Sequence, residues 1–223
     1  MAVIDHSLFA FLEELKKSNF REWFSEHKER YEKLKIQILP FYQQIEELLS
    51  ESDDVNSFHA YRIYRDVRFS ADKTPYKTHF SASISRKTAA LRGGYYIHLE
   101  PNNIFIACGF WNPNKEDLFR IRKEIELDHH EFEQVLNDKE LQRHFGKLQG
   151  EQLKTAPKGF NKDHAGISYL RFKQFLLIKK FEKHEAVSAD FGFQVAAAFI
   201  SARPFLDYMS NVLTTDLNGE SIL

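Results

Sequence analysis

Residues 80–110, FSASISRKTAALRGGYYIHLEPNNIFIACGF, alternate apolar and other side chains in three places. A period of two is typical of strands that bury one face. Turn-forming residues interrupt the pattern at Gly93-Gly94 and at Pro101-Asn102-Asn103. The alternating apolar residues are Ala82 and Ile84, then Tyr95, Ile97 and Leu99, then Ile104 and Ile106. The pattern predicts an antiparallel meander with strands near residues 78–86, 94–100 and 103–110, closed by a turn at Asn112-Pro113-Asn114.

Apolar residues at helical spacing precede the meander and predict helices there. Asp5 or Ser7 is the expected N-cap of the first helix. Asn19 and Glu22 form a pattern like a capping box, which predicts that a second helix starts at Asn19. Pro40 has no amide hydrogen, so it should kink or divide this second helix.

Helical spacing resumes after the meander at Lys115, and a shorter helix is predicted near residues 138–145. The dense apolar run Phe175–Phe181 predicts a buried strand. Residues 187–214 predict one long C-terminal helix, with Pro204 as a candidate kink.

These elements predict a single α+β domain over residues 1–223, with an antiparallel sheet packed against N-terminal and C-terminal helices. Hydrophobic residues make up 43% of the chain and charged residues 28%, which excludes disordered, collagen-like and disulfide-stapled chains. Cys108 is the single cysteine, and we find neither a signal peptide nor an apolar run long enough for a bilayer. We therefore expect a soluble cytoplasmic protein that does not enter a membrane.

Charge is distributed unevenly along the chain. The formal net charge is −1, but residues 60–93 carry eight cations against two carboxylates. This segment therefore has a net charge of +6, and the rest of the chain carries −7. Three arginines and two lysines within residues 62–77 exceed what two aspartates can neutralise, which favours an anion-binding cleft.

The basic segment also interleaves cations with aromatic residues. If Tyr61–Phe69 is extended, Arg65 shares the more apolar face with Ile63 and Val67. A guanidinium there needs a partner, either an internal carboxylate or an external anion. The candidate ligand-binding residues are Arg62, Arg65, Arg68, Lys73, Tyr76, Lys77, Trp111 and Lys158. The candidate catalytic residues are Asp66, Asp72 and His79, as a general base or as groups that orient the cations.

Three functions remain open at this point. The leading hypothesis is a cleft that binds, and in an enzyme would process, a small phosphate- or carboxylate-bearing ligand. The alternative is a basic face that binds nucleic acid or a protein partner without catalysis. In the third, the arginines and aspartates pair internally and have a structural role.

Other constellations are weaker. His98 and Glu100 share a strand face, which either orients a general base or is an ordinary solvated face. His129 and His130 diverge by about 100° on a helix, and no usual zinc spacing is present, so we expect no metal site. Cys108 is expected to pack as a small hydrophobic residue. No nucleotide-binding motif is present, and cofactors and oligomeric state stay open.

The stretch RIYRDVRFSADKTPYKTHF, residues 62–80, closely resembles the signature of an uncharacterised family, domain of unknown function 2461. The resemblance extends over nearly the whole chain. It includes FLEELKKSNFREWFSEHKERYEK, GGYYIHLEP, CGFWNP, LFRIRKEI, APKGF and the pair Leu170-Arg171. It implies a shared fold and a soluble protein of bacterial type, and it implies no established activity.

Overall fold

The computed structural model describes residues 2–216 and 220–223, and these form nine helices and five strands. In chain order the elements are α1 His6–Lys17, α2 Arg21–Ser50, β1 His59–Ala60, β2 Phe80–Ser85, β3 Gly94–Glu100, β4 Asn103–Phe110, α3 Lys115–Leu127, α4 His129–Leu136, α5 Lys139–Phe145, α6 Ile167–Leu170, β5 Phe175–Phe181, α7 Lys183–Ala186, α8 Phe191–Ser201 and α9 Arg203–Thr214. The predicted α+β class is confirmed.

The strands form one antiparallel sheet in the order β1-β2-β3-β4-β5, so each strand pairs with its neighbour in the chain. The three strands of the predicted meander are β2, β3 and β4. The turn between β3 and β4 places Asn102 at a φ of 64°, a conformation that asparagine tolerates better than most residues.

Helices cover one face of this sheet. The ring of Tyr95 on β3 lies 4.9 Å from that of Phe199 on α8. Phe41 on α2 stacks on Phe191 of α8 at 5.3 Å, so the N-terminal and C-terminal helices close over the same core. Because side chains alternate along a strand, Tyr96 and its equivalents project from the opposite face.

Two details of the N-terminal helices differ from the predictions. Asp5 caps α1 as expected, but α2 begins at Arg21 with Phe20 as its N-cap and no side-chain cap. Asn19 instead bonds to another part of the chain, described below. Helix α2 is also not divided, because its 30 residues run through Pro40.

The C-terminal helix predicted over residues 187–214 is interrupted just before Pro204, where the sequence places a candidate kink. The chain enters α8 only at Phe191, and Ala202 separates α8 from α9. Pro204 lies in the first turn of α9, where an amide hydrogen has no partner within the helix. Pro204 therefore stands in the first turn after the break.

Arg86, counted above among the cations of the basic segment, is an interior residue with a side chain that is 0% exposed. Its guanidinium donates to Asp53, Asp207 and the hydroxyl of Ser210. The hydroxyl of Tyr95 donates to the same Asp53 carboxylate at 2.6 Å. The excess positive charge of residues 60–93 is therefore smaller at the surface than the sequence indicates.

None of the described helices is both long enough and apolar enough to cross a membrane.

Candidate ligand-binding site

A cavity of about 1000 Å³ opens on the sheet face that lies opposite the helices. Its floor consists of small residues from three adjacent strands. In the sheet register Gly94 pairs with Ser85 on one side and with Gly109 on the other, and Ala107 lies opposite Tyr96. The small floor residues are Ser83, Ser85, Gly94, Ala107 and Gly109.

Backbone geometry requires glycine at one of these positions. Gly109 has a φ of 122°, which residues with a Cβ rarely adopt, and a Cβ there would lie 2.2 Å from the carbonyl oxygen of Phe175 on β5. The pairing of β4 with β5 therefore prevents a side chain at this position of the floor.

The walls of the cavity are aromatic. The ring of Tyr96 lies 6.2 Å from that of Tyr61 and 5.9 Å from that of Phe105. Tyr61 is fixed in this position because its hydroxyl donates to the Ser83 hydroxyl at 3.1 Å. Trp111, which follows β4, lines the cavity and is 61% exposed.

The basic segment crosses the edge of the cavity as a narrow hairpin. Tyr64 pairs with Tyr76, and the amide of Lys77 donates to the carbonyl of Ile63. Tyr76 stacks on Phe24 of α2 at 4.0 Å, so that side of the hairpin faces the helices. Arg65 and Lys77 occupy the other side by strand alternation, and both line the cavity.

Asn19 attaches this hairpin to the helices. Its side-chain amide donates to the carbonyl of Tyr76 at 2.9 Å, and its side-chain oxygen accepts from the Tyr76 amide at 3.1 Å. This explains why Asn19 does not cap α2. Its side chain satisfies both backbone groups of one hairpin residue.

Arg65 is held in place through one of its nitrogens. Nη1 donates to Asp72, to the Thr74 hydroxyl and to the Thr74 carbonyl. Within the described residues, no partner contacts Nε or Nη2. The Nε–Nη2 edge is the planar fork that can bind a carboxylate or phosphate through two hydrogen bonds.

Asp72 is an anchor for Arg65. Its carboxylate accepts from the backbone and hydroxyl of Thr74 and from the guanidinium, and these bonds lower its pKa to about 2. A carboxylate so strongly stabilised in its ionised form is a weak base, so the structure favours an orienting role for Asp72.

Lys77 is a second cation at the cavity. Nζ lies 5.2 Å from the ring centre of Tyr61, and no carboxylate pairs with it in the part of the chain that the structure describes. Partial burial, followed by the nearby charge of Arg62, lowers the pKa of the ammonium. Its position therefore leaves a charge available to a ligand.

Another part of the cavity lining is polar and contains two histidines. The rings of His79 and His98 lie 4.1 Å apart. His98 contacts the Tyr96 hydroxyl at 3.1 Å through Nδ1 and Glu100 at 3.5 Å through Nε2. Burial, and then His98, lower the pKa of His79 to about 4, and burial lowers that of His98. A pKa of about 4 leaves the His79 imidazole neutral at pH 7 and able to exchange a proton.

The cavity therefore brings together six of the residues that the sequence singled out. These are Arg65, Asp72, Tyr76, Lys77, His79 and Trp111. Tyr96, Phe105 and Asn103 were not predicted, and His98 and Glu100 were noted only for sharing a strand face. In the sequence they are marked only by their place in the period-two pattern of β3 and β4, on the face opposite the core residues.

The remaining predicted site residues lie outside the cavity lining. Arg68 pairs with Asp66 at 2.6 Å and is largely exposed, and Lys73 donates to the carbonyl of Val67. Arg62 and Lys158 are exposed. Arg65 pairs with Asp72, and Arg68 pairs with Asp66. The third hypothesis, a structural role, predicts internal pairs of this kind.

The predicted extension of Tyr61–Phe69 is wrong in detail. Only His59–Ala60 forms a strand, and a turn follows Asp66. Ile63 is buried, but Phe69, which should share its face, is 96% exposed. The Asp66–Arg68 pair and the turn reverse the chain before alternation can continue.

A separate cluster has donor types suited to a metal. His129, His130 and Glu133 place one ligand atom each within 4.8 Å of the others. Adjacent histidines are expected to diverge on a helix, but these two rings are 4.0 Å apart, and Oε2 of Glu133 lies 3.6 Å from Nδ1 of His130. This arrangement could hold a divalent cation. Cys108 is buried, and burial raises the pKa of its thiol, so it packs as a small hydrophobic residue.

The fold and cavity define a class of α+β protein with an aromatic, cation-bearing cleft on an antiparallel sheet. The chain belongs to the family described as "Conserved hypothetical protein (DUF2461)", whose model matches residues 7–208. The match includes the basic hairpin and all of β2, β3 and β4, and it confirms the resemblance in the sequence. Comparisons with curated proteins and with solved structures found no match. The family description assigns no activity, so the function has to be argued from the geometry of the site.

Proposed function

We propose that this protein binds a small anionic ligand, bearing a phosphate or carboxylate, in the cavity on the sheet. The observation that carries the proposal is the state of Arg65. Its guanidinium lines the cavity, is fixed through Nη1 alone and leaves the Nε–Nη2 edge without a partner among the described residues.

Fixing one nitrogen prepares the other two for binding. Asp72 and Thr74 restrict the rotation of the guanidinium, so less side-chain entropy is lost when an anion binds. The hydrogen bonds between an ionised ligand and this fork are charge-assisted, and they are stronger than neutral ones. Lys77 adds a second positive charge at the same cavity.

The same cavity offers groups for proton transfer. His79 is neutral at pH 7 because its pKa is about 4, so it can accept a proton from a bound ligand. Asp72 orients Arg65, and Asp66 has its carboxylate on Arg68 outside the cavity lining. If the protein is an enzyme, His79 lines the cavity and stays a candidate base. A pKa of about 4 nevertheless makes its imidazole a weak base at pH 7, as a pKa of about 2 does for the Asp72 carboxylate.

The binding test measures phosphate- and carboxylate-bearing compounds by calorimetry against wild type, Arg65→Lys and Arg68→Gln. Arg65→Lys keeps the charge but removes the fork, so we expect at least tenfold weaker binding. Arg68→Gln removes a cation of the same segment that lies outside the cavity, and affinity should change less than twofold. The proposal fails if wild type binds none of these ligands, or if Arg68→Gln weakens binding as much as Arg65→Lys.

A second function is favoured by the tip of the hairpin. Phe69 is 96% exposed, and the Arg68 guanidinium lies 5.9 Å from its ring centre. Exposed aromatic rings beside cations are typical of surfaces on which bases of single strands stack. Fluorescence anisotropy with a labelled oligonucleotide tests this function. Binding should fall steeply with salt and be lost in Phe69→Ala, whereas unchanged affinity in that variant excludes it.

A further inference from the structure

We infer that the anionic group of the ligand is attached to a planar aromatic ring, so that the ligands are aryl carboxylates or aryl phosphates. This inference rests on the proposed function and narrows it to a substrate class. It follows from the shape of the cavity floor and from the state of the aromatic walls.

The floor lacks side chains where the two paired glycines meet. Gly94 and Gly109 are direct register partners on β3 and β4, and neither has a side chain above the sheet. Ser85 extends this low surface across the sheet onto β2, and Ala107 extends it along β4. A planar ring can lie in contact with such a surface, whereas a bulky branched group cannot contact it evenly.

Trp111 stands beside this floor with its ring available. It is 61% exposed, and within the described residues its indole has no stacking partner, hydrogen bond or cation contact. Tyr61 at the other wall is 40% exposed. Exposing large aromatic surface to water is unfavourable, and a ring of the ligand would cover it by stacking.

The chemistry of the lining is sorted by position. Arg65 and Lys77, from the basic hairpin, supply two cations, whereas Lys16, which also lines the cavity, pairs with Glu100 at 3.8 Å. Tyr96, His98 and Asn103, from β3 and β4, supply neutral hydrogen-bonding groups that suit polar substituents on a ring. A volume of about 1000 Å³ accommodates a ring together with an anionic group and substituents.

Matched ligand pairs test the ring directly. Benzoate is compared with acetate, and phenyl phosphate with inorganic phosphate, by calorimetry on the wild-type protein. We expect the ring-bearing member of each pair to bind at least tenfold more tightly, as measured for bases stacked on aromatic side chains. Equal affinity within a pair overturns the ring but leaves the anion site standing. If no member binds, the proposed function fails as well.

The fluorescence of Trp111 tests whether the ring of the ligand contacts this side chain. Trp23 is the second tryptophan and stacks on His27 at 4.0 Å in α2. The variant Trp23→Phe therefore leaves Trp111 as the single source of tryptophan fluorescence. Benzoate should then change the emission, and acetate should not. In a second variant, Trp111→Ala, benzoate affinity should fall about tenfold to the level of acetate.

The matched control is Phe119→Ala, which removes an aromatic side chain that is 54% exposed and outside the cavity lining. Its benzoate affinity should equal that of wild type. Circular dichroism establishes that each variant is folded. Unchanged benzoate affinity in folded Trp111→Ala overturns the stacking role, whatever the anion site does.

Discussion

Oδ2 of Asp53 lies 2.8 Å from Nε of Arg86, and both side chains are shielded from solvent. Asp53 follows α2, and Arg86 follows β2, so this ion pair connects the first long helix to the sheet. Asp207 of α9 contacts the same guanidinium and brings the C-terminal helix into the network.

Asp53→Asn should destabilise the fold strongly. It removes the buried one of the two carboxylates that balance the Arg86 guanidinium. Because Asp207 still pairs with Arg86, we expect a loss of about 3 kcal/mol, the lower end of the range for a broken buried ion pair. The free energy of unfolding, measured with urea, should fall by this amount. The matched control is Asp54→Asn, which removes an exposed pair with Lys87 at 3.5 Å and should cost less than about 1 kcal/mol. Similar losses in both variants would contradict the buried pair.

Gly109→Ala should damage the sheet. The new Cβ would lie 2.2 Å from the Phe175 carbonyl oxygen, at a φ of 122°. We expect a loss of about 3 kcal/mol or more, or failure to fold. Gly159→Ala has a φ of 88° with open space around it, so it should cost only about 1–2 kcal/mol. Thermal unfolding of the two variants separates the clash from the backbone strain.

Pro40→Ala should stabilise the protein. Pro40 is an exposed residue inside α2, where it removes one helical hydrogen bond, and alanine would restore it. The free energy of unfolding should rise by about 1–2 kcal/mol, since the greater freedom of the unfolded chain offsets part of the gain. Gln37→Ala, an exposed change on the same helix, should stay within about 0.5 kcal/mol. A loss of stability in Pro40→Ala would show that the proline serves the native helix.

Stability should depend on pH through His79. Its pKa is about 4 in the folded protein against an ordinary value of 6.5, so between these values the unfolded chain binds more protons. The free energy of unfolding should therefore be highest above pH 6.5 and fall as the pH drops towards 4. His98, whose pKa is also lowered, acts in the same direction.

In His79→Gln the loss of unfolding free energy between pH 7 and pH 4 should be smaller than in wild type by about 1–2 kcal/mol. This difference is lower than the full pKa shift would give, because the imidazole is only partly buried. Urea unfolding at a series of pH values between 4 and 7 measures it. His184→Gln removes an exposed imidazole and controls for the substitution itself. An unchanged slope in His79→Gln would show that the imidazole is solvated in the folded state.

The sheet could be predicted from the sequence, and the cavity could not. Alternation identifies β3 and β4 because it is a property of each strand alone. The floor depends on Gly94 lying opposite Gly109, and strand periodicity does not fix that register. The partners of Arg86 could not be predicted either, because they lie 33 and 121 positions away in the sequence.

The basic hairpin shows the limit of charge counting. Its composition singles out a segment of the chain, and two cations of that segment, Arg65 and Lys77, line the cavity. Counting could not separate them from Arg68 and Lys73, because a turn after Asp66 directs those two elsewhere. The local spacing of Asn19 and Glu22 predicts a helix cap, because the bond from Asn19 to Tyr76 spans 57 positions and leaves no local signal.

The backbone contact at Gly109 also limits how this protein can diversify. Since a Cβ at Gly109 would meet the Phe175 carbonyl, and one at Gly94 would lie 2.9 Å from the Ile84 carbonyl, neither floor position can accept a larger residue without loss of strand pairing. In relatives with the same sheet we therefore expect variation of the cavity at other lining positions, such as Tyr61, Trp111 and the hairpin. Differences at those positions would separate ligand preference from ancestry.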